Sequence, residues 1–216
     1  KAENAQEDPQ AKIEEEKEEA KVQLPDLKAS QYETDEITTG IDVSEFQGTI
    51  DWKAVADSGI DFAMIRVGYR GMKNGEIKED ACAKYNLQEA SKNGLKIGAY
   101  FFSTAVTEEE AKEEAEWTKN LLSGYPVTYP VAYNCEGFQN PSSRQFELSV
   151  EERTKLADAF LKSIEEGSYT GMFYAAKNEL DDNNLWNADD LSLNYRIWVA
   201  QYSDQTWPEK TKSDYT

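Results

Sequence analysis

The sequence contains no histidine among its 216 residues, and no other compositional feature excludes as much. Without an imidazole there is no Ser-His-Asp or Cys-His catalytic unit and no histidine-containing zinc or iron site. Only two cysteines are present, too few for a thiolate metal cage. Basic charge is also scarce: 23 Lys and Arg stand against 42 Asp and Glu, a formal net charge of −19. That balance argues against duplex nucleic acid and anionic membrane surfaces as partners, since both demand clustered cations. No apolar run is long enough to read as a membrane-spanning helix. Unaided chemistry is left to carboxylates, and composition cannot choose among 42 of them. Neither a metal nor a cofactor is expected. With 39% apolar and 12% aromatic residues, one folded domain with a sizeable core is expected.

Residues 1–36 differ from the rest, with 12 Asp and Glu against 5 Lys and almost no large apolar side chains. Glu-Lys spacings within residues 11–22 favour a helix, yet Ile13 and Val22 give it no face to bury. This stretch is expected to be a disordered acidic linker, with a solvated helix as the alternative, and residues 37–216 to form the folded domain. The first residue is Lys1 rather than Met, in keeping with a mature or trimmed chain. Cys82 and Cys135 admit two readings, a bonded pair or two buried thiols. The apolar strand pattern around Cys135 favours the thiols.

From Ile37 onward, apolar runs alternate with capped amphipathic stretches, the pattern of βα units around a parallel sheet. Strands are predicted at residues 39–44, 62–68, 96–102, 130–136, 171–176 and 196–202. Thr107 with Glu110, and Ser149 with Glu152, form capping boxes, while Gly59, Gly94, Gly124 and Gly167 stand where helices stop. Alternate strand residues point to opposite faces. One face is uniformly apolar: Ile41, Val43, Ala63, Ile65, Val67, Ile97, Ala99, Phe101, Val131, Phe173, Ala175, Ile197 and Val199. The other carries Asp42, Ser44, Met64, Arg66, Gly68, Gly98, Tyr100, Phe102, Ala132, Asn134, Glu136, Tyr174, Trp198, Ala200 and Tyr202. One apolar face under helices and one face of charges, rings and glycines predict an α/β barrel whose interior the second set lines.

In parallel barrels chemistry sits at the C-terminal strand ends, where Asp42, Asn134 and Glu136 fall. Asn134 and Glu136, at i and i+2, share a face with Cα atoms roughly 6.5 Å apart. Two carboxylates and a carboxamide ringed by Tyr100, Phe102, Tyr174, Trp198 and Tyr202 suit glycoside hydrolysis. One acid protonates the leaving oxygen, a polar partner stabilises the sugar and flat rings stack on it. Arg66 reads either as an ion-pair partner for these acids or as a ligand contact.

These residues resemble a known family. Gly40-Ile-Asp-Val-Ser44 with Phe46-Gln-Gly48 and Ile50-Asp-Trp52, then Phe62-Ala-Met-Ile-Arg-Val-Gly-Tyr69, Gly98-Ala-Tyr100, Tyr129-Pro-Val-Ala-Tyr-Asn-Cys-Glu136 and Trp198-Val-Ala-Gln-Tyr202 are similar to segments of the glycoside hydrolase family 25 lysozymes. The resemblance implies a TIM-like (β/α)5(β)3 barrel, with six of its strands visible in this chain. It also implies hydrolysis of the β-1,4 bond between N-acetylmuramic acid and N-acetylglucosamine, with peptidoglycan glycan strands as the partner and an extracellular or cell-wall location. A monomer is expected. By the same resemblance Glu136 takes the general-acid position and Asp42 that of the strand-one acid.

Two departures from the family pattern stand out. The family's strand-four motif is Asp-x-Glu, and here its first member is Asn134, isosteric but uncharged. Losing a preorganised charge is expected to cost about 10²-fold or more in rate. The family also closes its barrel with two further short strands, the last carrying another Asp, whereas this chain stops at Thr216. Asp204 and Asp214 follow no strand pattern. Either the chain is truncated or the closing strands come from elsewhere. A catalytically inactive peptidoglycan-binding module on the same barrel is therefore the alternative to a hydrolase, and an interaction protein acting through the acidic segment is a third reading.

Overall fold

The computed structural model describes residues 38–202 other than 182 and 184. The acidic segment 1–36 and the carboxylates Asp204 and Asp214 lie outside the described residues. Strands β1 (Gly40–Val43), β2 (Phe62–Arg70), β4 (Lys96–Phe102), β5 (Val127–Asn134), β6 (Gly171–Ala176) and β7 (Arg196–Ala200) form one parallel sheet in the order β1-β2-β4-β5-β6-β7. All six correspond to strands predicted from periodicity. A seventh, β3 (Ile77–Glu79), pairs antiparallel with the end of β2 and is too short to show a period. Helices α1 (Trp52–Asp57), α2 (Ala83–Lys92), α3 (Glu108–Leu122), α4 (Val150–Glu166), α5 (Lys177–Leu180) and α6 (Ala188–Asn194) lie between the strands.

The two helices whose starts the capping boxes mark begin there. Thr107 accepts from the Glu110 amide ahead of α3, and Ser149 forms a full capping box with Glu152 ahead of α4. After α2, Gly94 takes φ +87°, which a side chain would resist. Gly167 does not play that part after α4. Its φ is −81°, and the left-handed residue is Ser168 at φ 67°. The α3 stripe Ala111, Ala115, Thr118 and Leu122 and the α4 stripe Leu156, Ala159, Phe160 and Ile164 are all buried. They cover the apolar sheet face, where Ile65, Val67, Phe101, Val131, Tyr133 and Phe173 are fully enclosed.

The sheet is curled. The rings of Tyr100 on β4 and Trp198 on β7 meet edge-to-face at 6.1 Å although their strands are three places apart. A flat sheet would separate those strands by about 14 Å. The concave face is filled at its base by Met64, Ala132 and Gly98. A Cβ on Gly98 would stand 2.5 Å from the Met64 sulfur and 2.7 Å from the Pro130 carbonyl oxygen. Strict alternation fails at one point. A bulge between Arg66 and Gly68 pairs Gly68 with Phe101 and Tyr69 with Phe102. Gly68 therefore belongs to the helix side, not the interior expected for it, and a Cβ there would lie 2.7 Å from the Trp117 ring of α3. Tyr69 instead lies against the interior Arg66, its ring centroid 5.3 Å from the guanidinium carbon.

Neither cysteine is bonded. Cys135 is buried as expected and donates to Gln145 Oε1 at 3.0 Å, but Cys82 is only half-buried, at the start of α2. Among the described residues no helix is long and apolar enough to cross a membrane.

Candidate active site

A cavity of about 300 Å³ opens at the C-terminal ends of the strands. Asp42, Arg66, Tyr100, Phe102, Asn134, Glu136, Tyr174 and Trp198 all line it, together with Ser44, Phe46 and Gln47 from the segment after β1. Tyr202 is placed differently. It lies past the end of β7 and is 93% exposed, outside the cavity lining yet close enough to Tyr174 to act on its hydroxyl.

β5 ends at Asn134, two residues short of Glu136, so Glu136 hangs from the strand's exit and is exposed to solvent. Asn134 is buried, and its Nδ2 donates to Glu136 Oε1 at 2.9 Å. The backbone beneath is fixed from the neighbouring strand, since the Asn134 carbonyl accepts from the Ser103 amide at 2.7 Å. Asp42 is within electrostatic reach of Glu136. Solvent reaches Asp42, but the concave wall around it displaces enough water to raise its pKa, and the charge on Glu136 raises it further.

The aromatic wall is built around Trp198. Its indole meets both Tyr174, at 4.8 Å, and Tyr100, at 6.1 Å, edge-to-face. Burial, and then the charges of Asp42 and Glu136 respectively, push the hydroxyls of Tyr100 and Tyr174 well above the usual tyrosine range. Both stay protonated near neutral pH and can donate to a ligand.

Arg66 is nearly buried, and its charge is already satisfied. Nε donates to Asp80 Oδ2 at 2.7 Å and Nη2 to Glu45 Oε1 at 2.9 Å. Among the described residues, these are its ion-pair partners, rather than Asp42 or Glu136. Asp80 had no signal in the sequence. An interior arginine demands a counter-charge, but nothing distinguishes this carboxylate from 41 others. Phe46 and Gln47 line the cavity as well, beyond the residues that strand alternation points to; both belong to the segment that carries the family resemblance, and an exposed ring directly after a barrel strand is a usable signal.

Two carboxylates, two carboxamides, protonated phenols and an indole, with the lining arginine neutralised, suit a neutral ligand rich in hydroxyl and amide groups. Among the described residues no group of three or more Cys, Asp and Glu side chains could hold a metal ion.

Comparison with known proteins agrees with this geometry. The description glycosyl hydrolases family 25 matches residues 41–215. The autolytic lysozyme of Clostridium acetobutylicum is 29% identical over 164 residues, covering 76% of this chain and 44% of the relative. An uncharacterized Escherichia coli protein, YegX, is 29% identical over 175 residues, covering 76% and 56%. The chain thus spans about half the length of the curated relatives it matches. Among solved structures, the modular autolysin LytC of Streptococcus pneumoniae superposes with a TM-score of 0.67 at 24% identity, over 83% of this chain and 42% of that one. A family 25 glycosyl hydrolase from Bacillus anthracis gives 0.62 at 22% identity, over 83% and 78%. At these identities the structural likeness establishes the curled α/β barrel fold.

Proposed function

Because the chain belongs to glycosyl hydrolases family 25, we propose that it is a muramidase that cleaves the β-1,4 bond between N-acetylmuramic acid and N-acetylglucosamine in peptidoglycan. The observation that carries this reading is the meeting of Glu136, Asn134 and Asp42 below the aromatic wall of Trp198, Tyr174 and Tyr100 in one cavity. Glu136 is the solvent-reached carboxyl best placed to protonate a leaving oxygen, and Asn134 and Asp42 flank the sugar it acts on. Tyr100, Phe102, Tyr174 and Trp198 supply ring faces and hydroxyls for the pyranoses, with Tyr202 a further platform at the rim. Arg66 acts through the walls it braces. On this reading the protein works outside the cytoplasm or at the cell wall, acts as a monomer and carries residues 1–36 as a spacer.

A second reading rests on one contact. The hydrogen bond from Asn134 to Glu136 occupies the acid with a neutral partner where the resembled family carries a second carboxylate. That substitution weakens catalysis by about 10²-fold, and at its limit leaves a glycan-binding module. Reducing-end release and turbidity loss of purified peptidoglycan separate the two readings, with Glu136→Gln as the comparison. Release by the protein that Glu136→Gln abolishes supports a muramidase. Saturable binding of muropeptides with no release supports the module, and neither release nor binding overturns both.

A further inference from the structure

Phe46 is a large apolar side chain that the fold leaves 79% exposed, yet everything around it is held in place. It sits in a 3-10 turn, Glu45–Gln47, directly after β1. Ser44 and Gln47 close a capping box across that turn, with the Ser44 amide donating to Gln47 Oε1 at 2.8 Å. Beneath the turn lies Asp80, wholly buried at the end of β3. Its Oδ2 accepts from the Glu45 amide at 3.0 Å and from Arg66 Nε at 2.7 Å, while Oδ1 accepts from the Cys82 amide at 2.9 Å. Arg66 in turn pairs with the Glu45 carboxylate. One carboxylate therefore ties together the turn, an interior residue of β2 and the start of α2. The Phe46 ring rests over the Arg66 guanidinium, whose carbon is 4.8 Å from the ring centroid. The ring's other side is open to solvent and its residue borders the cavity that holds Glu136.

An exposed ring on a floppy turn would be ordinary surface. An exposed ring seated on a neutralised guanidinium, on a turn whose Glu45 amide a buried carboxylate holds, costs little entropy to use in binding. Resting on the reading of the cavity as a glycan site, we propose that Phe46 is a sugar-stacking residue, receiving the C–H face of an N-acetylhexosamine at a different part of the rim from the Trp198 wall. Asp80 is the positioning residue that holds it there.

The test is calorimetric titration with a soluble N-acetylglucosamine–N-acetylmuramic acid tetrasaccharide. Phe46→Ala weakens binding about 10-fold, a stacking-sized loss, and Phe46→Tyr restores it. Asp80→Asn weakens binding to a similar degree, and the double variant Phe46→Ala with Asp80→Asn binds no worse than Phe46→Ala alone, because both changes remove the same contact. If Asp80→Asn does not fold, Glu45→Gln loosens the clamp from its more exposed side and must show the same non-additivity. Equal affinity of Phe46→Ala and the parent protein overturns the stacking role. Additive losses in the double variant overturn the positioning role. A parent protein that binds no tetrasaccharide overturns the glycan reading itself, a distinct failure from either of these.

Discussion

Asn134 donates a 2.9 Å hydrogen bond to Glu136, the residue two positions along the same chain segment. An ionised aspartate at 134 has no proton to give and would set a second negative charge beside Glu136. Asn134→Asp is therefore expected to break this bond, free Glu136 to face the substrate and raise peptidoglycan hydrolysis about 10²-fold. The measurement is initial rate of reducing-end release. An unchanged rate removes Asn134 from the catalytic assignment.

Arg66 and Asp80 form an ion pair in which the carboxylate is wholly buried. Arg66→Met leaves that carboxylate without its cation and should destabilise the fold by about 3–5 kcal/mol. Asp80→Asn added to Arg66→Met is expected to recover part of the loss, since the orphaned charge goes with it. Urea denaturation of Arg66→Met, Asp80→Asn and the double variant decides this, and full additivity refutes the pairing.

Glu114 on α3 is buried against Arg70, and burial outweighs the pairing to push its carboxyl from an ordinary 4.5 up to about 7. Between those two values the folded protein keeps a proton that the unfolded chain has released. Glu114 thus favours folding at the acidic end, and its contribution declines as pH rises through this window. Glu114→Gln should flatten that part of the stability-pH profile. Thermal melts across the window in both proteins test it, and parallel profiles would count against the shift.

The two thiols should react differently. Burial pushes the Cys135 thiol far above the usual cysteine range, whereas Cys82 is partly open to solvent. An alkylating reagent is expected to label Cys82 in the native protein and Cys135 only after denaturation. Peptide mass mapping reads both sites, and native labelling of Cys135 would contradict its enclosure.

Much of this fold was legible because a parallel sheet under helices writes two clear periods into the chain. Residues 96–102 and 171–176 were bounded correctly, since glycine or polar punctuation stands on each side. The residues of the cavity could be chosen because charges and rings at strand ends stood out against an apolar opposite face. The rest depended on contacts that no period reveals. The Asp80 clamp joins residues 14 and 35 positions apart. Glu114 interrupts an otherwise apolar helix stripe because Arg70 reaches it from another element. Tyr202 carried a strong motif but lies beyond the strand that would have aimed it inward.

The bulge in β2 also sets the charge of the cavity. Unbroken alternation from Arg66 would turn Arg70 toward the same concave face. Its guanidinium, unlike that of Arg66, would have no carboxylate of its own there and would offset one of the two acids, Asp42 and Glu136. The extra residue instead sends Arg70 outward to Glu113 and Glu114 of α3. A single backbone irregularity thus keeps the pocket acidic. Without the extra residue at Val67 its field would be roughly halved before any residue that touches a ligand had changed.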